Sequence, residues 1–554
     1  MRPLAGRSFP LWAGRRLKYE IAALPENSYT GLRHVGVHAS KAARAGFPEV
    51  RSATLAGKVN LRHSMRIPLR LSMLSTFAGT SLAMKANVKA TLPPVSAGGI
   101  TKPLDPPLLP DASGELVEAR LIAVHTAFRH GARTPVDDLG SSDSTCVWKE
   151  EETDKAALLK ESIGSIALFA HGSSDPIDPA VYWCGDNSGS RLMGGAHPGW
   201  LTKIGFAQSM ELGRELRERY VDPTAAGSAE VRPRYLLPAG WERSRRLIET
   251  RSTRVERTAY TASGVLAGLF PGAKPDVEIE LNGPPQDEWM VLNDASCPRL
   301  RQIFQQGLKL SSEGLTTAQQ AVIRHVESGS NWVCPDLAWK LITYRDWFAC
   351  RRAAGKPNPP AVEEVAAELD AATAKQMHQI FEGGSEFTPD PHATRTEALR
   401  LVIGRFMKHL VHGVSRPDGV LHLYSGHDWS VSPLLLCVTS PDDPVHGSWP
   451  PFCSNIAFEV WSTRVAERAT PRVLSHPATH GDAAANDEGH FVRVLFNGSP
   501  VRLACPTVSG DHPGTCTLGE FKALVRPFCV ADFAAEGQPS GGLEAQASGT
   551  GFNK

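Results

Sequence analysis

The stretch that decides the fold and the chemistry of this chain is Arg129-His130-Gly131-Ala132-Arg133-Thr134-Pro135, which follows the apolar run Leu121-Ile122-Ala123-Val124. It places one histidine between two arginines where a predicted buried strand gives way to a loop. An imidazole between two guanidinium groups is poorly placed to bind a cation or to ligate a metal ion. It is well placed to meet a phosphate, whose oxygens the planar arginine side chain binds in pairs. The competing interpretation is an ordinary surface loop with a basic cluster.

The charges in this stretch predict a chemical role for each side chain. Arg129 and Arg133 are expected to neutralise a bound phosphate monoester and to stabilise the charge that moves through the transition state. The neutral ring of His130 would attack phosphorus in line and form a phosphohistidine, which divides one difficult step into two easier ones. Positive charge nearby lowers the pKa of an imidazole, so His130 is expected to stay unprotonated at mildly acidic pH.

A second segment that ends an apolar run is Tyr424-Ser425-Gly426-His427-Asp428, preceded by Val420-Leu421-His422-Leu423. His427 is expected to donate a hydrogen bond to a phosphate oxygen, and Asp428 to protonate the departing alkoxide. An acid of this kind works only while it is protonated, which favours an acidic pH optimum. Alone, a His-Asp pair is more often an ordinary loop contact, but beside the first motif the catalytic interpretation is favoured.

A third segment, at 251–258, reads Arg-Ser-Thr-Arg-Val-Glu-Arg-Thr and leads into a helical pattern. We expect Arg251, at the predicted junction of strand and helix, to complete the phosphate site. Arg257 would lie inside the helix, and we interpret it as structural. A generic basic helix face is the alternative, because further arginines lie nearby at Arg243, Arg245, Arg246 and Arg254.

Together the motifs Arg-His-Gly-x-Arg-Thr-Pro, Arg-Ser-Thr-x-x-x-Arg-Thr and the later Gly-His-Asp resemble the histidine acid phosphatase family. Weaker similarities at 199–213, 449–461 and 492–498 extend this resemblance over residues 116 to about 530. The resemblance implies that His130 is the nucleophile and Asp428 the proton donor. It also implies that phosphate is bound by Arg129, Arg133, Arg251 and His427.

Coarse patterns along the chain predict an α/β fold, with a mostly parallel central sheet flanked by helices and catalytic loops at the carboxyl ends of its strands. Helical patterns, clearest at 206–220 and 399–411, alternate with strand-like runs at 116–128, about 231–237, 420–425 and 454–461. Between about 275 and 395 helical patterns dominate, which resembles the family's largely α-helical cap domain. The loop-rich stretch 141–199 is expected to line the pocket.

The first 90 residues are rich in Arg, Ser and Ala, poor in acids, and without sustained periodicity. Met65 begins a basic stretch that is followed by a short apolar run from Leu71 to Leu82, which predicts a secretory signal and makes Met65 an alternative start. A mitochondrial transit peptide and an uncleaved membrane anchor are the competing interpretations. Beyond this leader we predict a Pro/Gly-rich linker at 91–115, the phosphatase domain at 116–535 and a disordered tail at 536–554.

Ten cysteines, all between Cys146 and Cys529, support an oxidising compartment with disulfides, although Cys437 is equally well explained as a buried thiol. No Cys-x-x-Cys pair or His/Cys spacing indicates zinc, and no cofactor is expected. The net charge of +1 hides an asymmetry, because residues 1–110 hold 16 Lys/Arg and 4 Asp/Glu, which leaves 43 and 54 for the remainder. An acidic globular body argues against nucleic-acid binding.

The sequence therefore predicts an acid phosphatase of the secretory pathway whose partner is a small phosphate monoester. The alternative is a protein of the same fold that binds a phosphate ligand without turnover. Lysophospholipid, phosphosugar, phosphoprotein and inositol phosphate substrates are all left open, as is the oligomeric state. Membrane association is expected only through the N-terminal leader.

Overall fold

The computed structural model describes residues 105–538, apart from residues 138, 140–145, 178–190, 225–230, 284–286, 335, 382–389, 465–486 and 506–513. The predicted leader with Met65, the linker before residue 105 and the tail beyond residue 538 lie outside the described residues. The last part of the predicted linker is a hairpin, because β1 (Leu108–Pro110) pairs antiparallel with β2 (Leu116–Glu118). Within the described ranges, no helix combines the length and the apolar character needed to cross a membrane.

The further strands, in chain order, are β3 (Arg120–Arg129), β4 (Ser165–Ala170), β5 (Pro176–Ile177), β6 (Val221–Asp222), β7 (Leu237–Pro238), β8 (Ile248–Ser252), β9 (Asp276–Leu281), β10 (Leu421–Gly426), β11 (Asn455–Ser462), β12 (His490–Phe496), β13 (Ser499–Pro500) and β14 (Thr515–Thr517). The α-helices are α1 (Ala156–Ser162), α2 (Lys203–Tyr220), α3 (Trp241–Ser244), α4 (Glu256–Leu269), α5 (Pro298–Glu313), α6 (Thr317–Gly329), α7 (Lys340–Ala353), α8 (Pro360–Glu364), α9 (Ala366–Phe381), α10 (Pro391–Val414), α11 (Asp428–Val438), α12 (Leu518–Val525) and α13 (Phe533–Glu536).

The central sheet is mixed. In the part of the chain that the structure describes, it has ten strands in the order β13-β12-β11-β3-β10-β8-β9-β4-β5, with β14 beside β12. The pairings from β3 through β10, β8 and β9 to β4 are parallel, and the pairings at both edges are antiparallel. The predicted α/β fold is confirmed, and its parallel strands are the ones that carry the candidate site.

Helices cover both faces of the central strands. On one face Phe128 of β3 and Leu423 of β10 pack with apolar residues of α2 and α4. On the other face Ala127 of β3 and Tyr424 of β10 pack with residues of α10 and α11. Parallel strands buried in this way are apolar on both faces, which explains why the apolar runs before each motif predicted strands.

The helices α2 and α4 lie unusually close together because glycines face each other between them. A Cβ on Gly213 of α2 would collide with the carbonyl oxygen of Val265, and a Cβ on Gly268 of α4 would collide with that of Met210. Such backbone contact is open only to residues without a side chain. The pair therefore forms one rigid support beneath the sheet.

Three predicted boundaries differ from the structure. Residues 276–281 form β9 within the central sheet, so the helical cap begins later than residue 275, and its helices α5 to α9 lie between residues 298 and 381. The stretch 141–199 is not only loop, because it contains α1, β4 and β5, and β4 extends the sheet beside β9. The strand expected at about 231–237 is reduced to the two residues of β7.

The structure shows no disulfide that joins two of the nine cysteines it describes. Cys437 is a buried thiol in α11, in agreement with the alternative interpretation of this residue. Cys505 and Cys516 contact each other through a hydrogen bond between their thiols.

Candidate active site

The carboxyl ends of two neighbouring parallel strands bring two of the predicted motifs together. β10 pairs with β3 in a register that sets Gly426 opposite Arg129, so His427 and His130 follow at the same edge of the sheet. The two imidazole rings meet with their centroids 5.5 Å apart, at an interplanar angle of 73°. The His130 amide donates to the Gly426 carbonyl at 3.0 Å, which ties the two loops together.

The loop that carries His130 rests directly on the first turn of α2. A Cβ on Gly131 would collide with the carbonyl of Gly205, and a Cβ on Gly205 would collide with the carbonyl of Ala132. Side chains of the supporting helices bind the loop amides: Gln208 of α2 accepts from the Ala132 amide at 2.9 Å, and Thr261 of α4 accepts from the Gly131 amide at 3.0 Å. The backbone on the carboxyl side of His130 is therefore fixed before any ligand arrives.

His130 is a neutral ring with a defined tautomer. Its Nδ1 lies 2.8 Å from the carbonyl oxygen of Gly131, and because a carbonyl only accepts, Nδ1 carries the proton. The lone pair is consequently on Nε2. Burial, followed by the positive charges of Arg257, Arg129 and Arg133, holds the pKa of His130 well below its ordinary value. The ring thus keeps a nucleophilic nitrogen under acidic conditions.

Arg129 lies fully buried beside this ring. It donates to the carbonyl oxygen of Pro450 at 2.7 Å and pairs with Asp428 at 2.8 Å. Its guanidinium lies over the ring of Phe452, 4.3 Å from the centroid. Burial lowers the pKa of Arg129 to about 10, so the side chain remains a cation at acidic and neutral pH.

Arg257 is the second cation of the site, although the sequence analysis interpreted it as structural. Its Nη1 donates to the carbonyl of Gly199 at 3.3 Å, and its Nη2 lies 3.5 Å from Nδ1 of His427. Burial and the neighbouring Arg133 lower the pKa of Arg257 to about 9, which still leaves it charged under acidic conditions.

Arg251 is not part of this cluster, and this placement corrects the sequence-based expectation. It lies in β8 opposite Tyr424 of β10, and its Nη2 pairs with Glu280 of β9 at 3.0 Å. β8 ends at Ser252 and α4 begins one residue before Arg257, so Arg257 is the arginine that occupies the first helical turn after the strand. The sequence-based expectation put the junction of strand and helix at Arg251, several residues before the observed helix start at Glu256.

His427 and Asp428 stand where β10 passes into α11, because Asp428 is the first residue of that helix. His427 Nε2 lies 2.9 Å from Thr253 Oγ1. Asp428 accepts from the amide of Trp429 at 3.0 Å and from the indole of Trp449 at 3.1 Å. Burial and the nearby arginines hold the pKa of His427 well below its ordinary value.

The third arginine, Arg133, contacts the helical segment formed by α5 to α9, which we call the cap. Arg133 pairs with Asp346 of the cap helix α7 through two contacts, of 2.7 and 3.1 Å. Burial by itself would lower the pKa of Arg133, but the charge and hydrogen bonds of Asp346, together with Cys350 and Asp428, outweigh burial and raise it. Asp346 was missed by the sequence analysis, and so was the role of Trp449 beside Asp428, since neither has a local sequence signal.

The structure thus brings together five of the six predicted site residues, Arg129, His130, Arg133, His427 and Asp428, and adds Arg257. Buried cations require anionic partners. Asp346 and Asp428 each contact one arginine, and a bound phosphate would supply the remaining charge. Among the residues that the structure describes, no group of three or more His, Cys, Asp or Glu side chains is arranged to hold a metal ion.

Parts of the chain are similar to known proteins. The family model of the histidine phosphatase superfamily (branch 2) matches residues 120–325. Lysophosphatidic acid phosphatase type 6 of Bos taurus is 24% identical over 360 residues, which cover 63% of this chain and 75% of that protein. Testicular acid phosphatase of Homo sapiens is 25% identical over 355 residues, which cover 59% of this chain and 71% of that protein. Among solved structures, the apo form of the Hafnia alvei phytase aligns at a TM-score of 0.46 and 15% identity, covering 76% of this chain and 99% of that one.

The span matched by the family model contains the His130 loop and the first turn of α4, and the named relatives are acid phosphatases. Over residues 120–325 the chain is therefore similar to the histidine phosphatase superfamily, branch 2.

Proposed function

We propose that the protein is an acid phosphatase that hydrolyses phosphate monoesters through a phosphohistidine intermediate on His130. The observation that carries this proposal is a buried, neutral imidazole whose Nδ1 donates to Gly131 while three guanidinium groups depress its pKa. An imidazole surrounded by fixed positive charge is suited to attack an anion, because the arginines offset the repulsion between the lone pair and the phosphoryl oxygens.

In the first step, Nε2 of His130 forms a bond to phosphorus while the bond from phosphorus to the ester oxygen breaks. Arg129, Arg133 and Arg257 bind the non-bridging oxygens and stabilise their charge in the transition state. In the free protein Nδ1 of His427 accepts from Nη2 of Arg257, because a guanidinium only donates. His427 would donate to a bound phosphate from Nδ1 after its proton moves there and Nε2 accepts from Thr253.

Asp428 protonates the departing oxygen, which then leaves as an alcohol. In the second step Asp428 takes a proton from water, the water oxygen attacks phosphorus, and the bond to His130 breaks to release inorganic phosphate. A bound phosphate shares the charge of Arg129, which in the free protein pairs with Asp428 at 2.8 Å. The negative charge of the substrate therefore weakens the pairing of Arg129 with Asp428, which frees the Asp428 carboxyl to face the departing oxygen.

The decisive experiment compares wild type with His130→Ala in hydrolysis of p-nitrophenyl phosphate at about pH 5. Loss of a nucleophile that acts together with its partners is expected to lower kcat by at least about 1000-fold. Acid-quenched wild type, incubated with radiolabelled substrate, should carry label that base stabilises and acid removes, as a phosphoramidate does. Unchanged turnover in His130→Ala, with the fold verified by its unfolding midpoint, would refute the proposed role.

The second candidate function is that of a phosphate-binding protein without turnover. The burial of the site residues is the observation that favours it. All predicted site residues except Arg251 are almost fully buried, and the cap acid Asp346 already engages Arg133. Calorimetric binding of inorganic phosphate combined with no hydrolysis of any ester would establish this alternative.

The substrate class is proposed from the names of the relatives. The Bos taurus relative is named a lysophosphatidic acid phosphatase, which makes a lysophospholipid the first substrate to test here. Phosphosugars, phosphoproteins and inositol phosphates complete the panel, each measured as kcat/KM on the same preparation.

A secretory location is proposed together with the function, and expression with an epitope tag at the carboxyl terminus would test it against a mitochondrial one.

A further inference from the structure

The cap helix α7 contacts the His130 loop through two adjacent side chains. Asp346 pairs with Arg133, and the indole nitrogen of the next residue, Trp347, donates to the carbonyl of Asp137 at 2.7 Å. The preceding residue, Arg345, lies over the ring of Trp449, 4.5 Å from its centroid. Because Trp449 donates to Asp428, α7 contacts the His130 loop directly and reaches Asp428 only through Trp449.

Asp346 is the most tightly bound of these cap residues. Its Oδ1 accepts from Nη2 of Arg133 at 2.7 Å, and its Oδ2 accepts from Nη1 at 3.1 Å and from the amide of Val136 at 3.2 Å. Asp346 and Arg133 are both buried. A carboxylate that holds both nitrogens of a guanidinium and the backbone of the same loop determines the direction of that side chain.

Arg133 needs such support because its neighbours repel it. Two further guanidinium groups, those of Arg129 and Arg257, act on the same histidine, and Arg133 is a cause of the lowered pKa of Arg257. Its Nη1 is further oriented by the carbonyl of Thr134 at 3.0 Å. Without a counter-charge, a flexible arginine in this field would turn away from the other cations.

We propose that Asp346 is a positioning residue, which holds Arg133 in the orientation that binds the transferring phosphoryl group. This inference rests on the proposed function. Asp346 takes no part in bond making or breaking, since its two oxygens are directed at Arg133 and Val136. Its contribution is to fix a cation before the reaction, which is the condition under which such groups stabilise a transition state most.

A contrary role would be that of a competitor, in which Asp346 occupies Arg133 until phosphate displaces it. The two roles predict opposite results for phosphate affinity. A positioning residue improves binding of phosphate and turnover, so its removal weakens both. A competitor weakens binding, so its removal would strengthen it.

The test measures kcat, KM and the inhibition constant of inorganic phosphate for Asp346→Asn, Asp346→Glu and Asp346→Ala, with p-nitrophenyl phosphate as substrate. Asparagine keeps the shape of the Asp346 side chain but removes its charge. Glutamate keeps the charge but moves it by the length of one methylene group. We expect kcat to fall in the order wild type, Glu, Asn, Ala, by about 10-fold or more for Asn, and the inhibition constant of phosphate to rise by about threefold or more. Glu327→Gln is the matched control, because Glu327 pairs with Lys340 at the start of the same helix, outside the catalytic loops. It should retain wild-type values.

A double-mutant cycle with Arg133→Ala separates positioning from general support of the fold. If Asp346 acts through Arg133, Asp346→Asn should change kcat by less than about twofold in the Arg133→Ala background. Full additivity, a wild-type kcat in Asp346→Asn or Asp346→Glu, or tighter phosphate binding would each overturn the proposal. Glu retains the charge, so this variant keeps the test valid even where Asn does not fold. Turnover by the wild type tests the proposed function separately. If the wild type binds phosphate without turnover, the phosphate affinities of wild type and the Asp346 variants still test the role of Asp346.

Discussion

Replacing Arg257 with glutamine distinguishes the two arginines between which sequence alone chose incorrectly. Arg257 Nη2 lies 3.5 Å from His427 Nδ1, whereas Arg251 in β8 pairs with Glu280 of β9 at 3.0 Å. Removing one preorganised donor to a developing anion costs about 2.7 to 4 kcal/mol, so Arg257→Gln is expected to lower kcat/KM by about 100- to 1000-fold. Arg251→Gln removes a partly exposed ion pair, of the kind that contributes about 0 to 1 kcal/mol, and should lower kcat/KM by less than about fivefold.

The same substitution should alter the pH profile. Burial is the largest cause of the lowered pKa of His130, and Arg257 is the first of the charges that lower it further. Without Arg257 the pKa of His130 rises toward its ordinary value, and the ring becomes protonated at a higher pH. Activity on the acidic side of the optimum should therefore be lost at a higher pH in Arg257→Gln than in wild type or in Arg251→Gln.

The assay is kcat/KM for p-nitrophenyl phosphate between about pH 3.5 and about pH 7. Unfolding midpoints of both variants serve as the control for the fold. An equal loss in the two variants, or a larger loss in Arg251→Gln, would refute the assignment of Arg257 to the site. If activity at acidic pH is lost at the same pH in Arg257→Gln as in wild type, the prediction that Arg257 lowers the pKa of His130 is contradicted.

Two further predictions concern the proton donor and the stability of the fold. Asp428→Asn should slow hydrolysis of alkyl phosphates by about 100-fold or more and of p-nitrophenyl phosphate by less than about 10-fold, because only the poor leaving group needs protonation; equal slowing would count against this role. His422 is buried between Glu249 and Asp418, at 3.2 and 3.3 Å, and although burial opposes its charge, these carboxylates raise its pKa from 6.5 to about 9. This pairing stabilises the fold fully below pH 6.5, and the stabilisation is lost as pH rises through about 9, a difference of at most about 3.4 kcal/mol. Urea unfolding of wild type and His422→Gln at both ends of that range should show this loss in wild type only, and a parallel pH dependence of the two would contradict the prediction.

Much of the site was predictable because it follows the ends of buried strands. The apolar runs before His130 and before His427 identified two strands, and ligand-binding loops of α/β sheets lie at the carboxyl ends of such strands. The residue types then indicated an anion, since two arginines flank His130 and an acid follows His427. The α/β class and the helices that flank the sheet followed from periodicity in the same way.

The choice between Arg251 and Arg257 required the tertiary structure. Both arginines belong to one motif, and which of them reaches the site depends on the residue at which β8 ends and α4 begins. Helix boundaries predicted from sequence are uncertain by a few residues. Here an error of that size was enough to select Arg251, which lies in the strand, instead of Arg257, which lies on the first turn of the helix.

The sequence by itself was enough to propose His130 as the nucleophile, Asp428 as the proton donor and Arg129 and Arg133 as phosphate ligands, because each proposal depends only on the few residues around it. Only the tertiary structure showed that Asp346 contacts Arg133 and that Trp449 contacts Asp428. Asp346 is separated from Arg133 by 213 positions, and the contact exists because α7 of the cap packs over the loop after β3. Interactions of this kind arise from the packing of distant elements, so no local pattern of residues announces them.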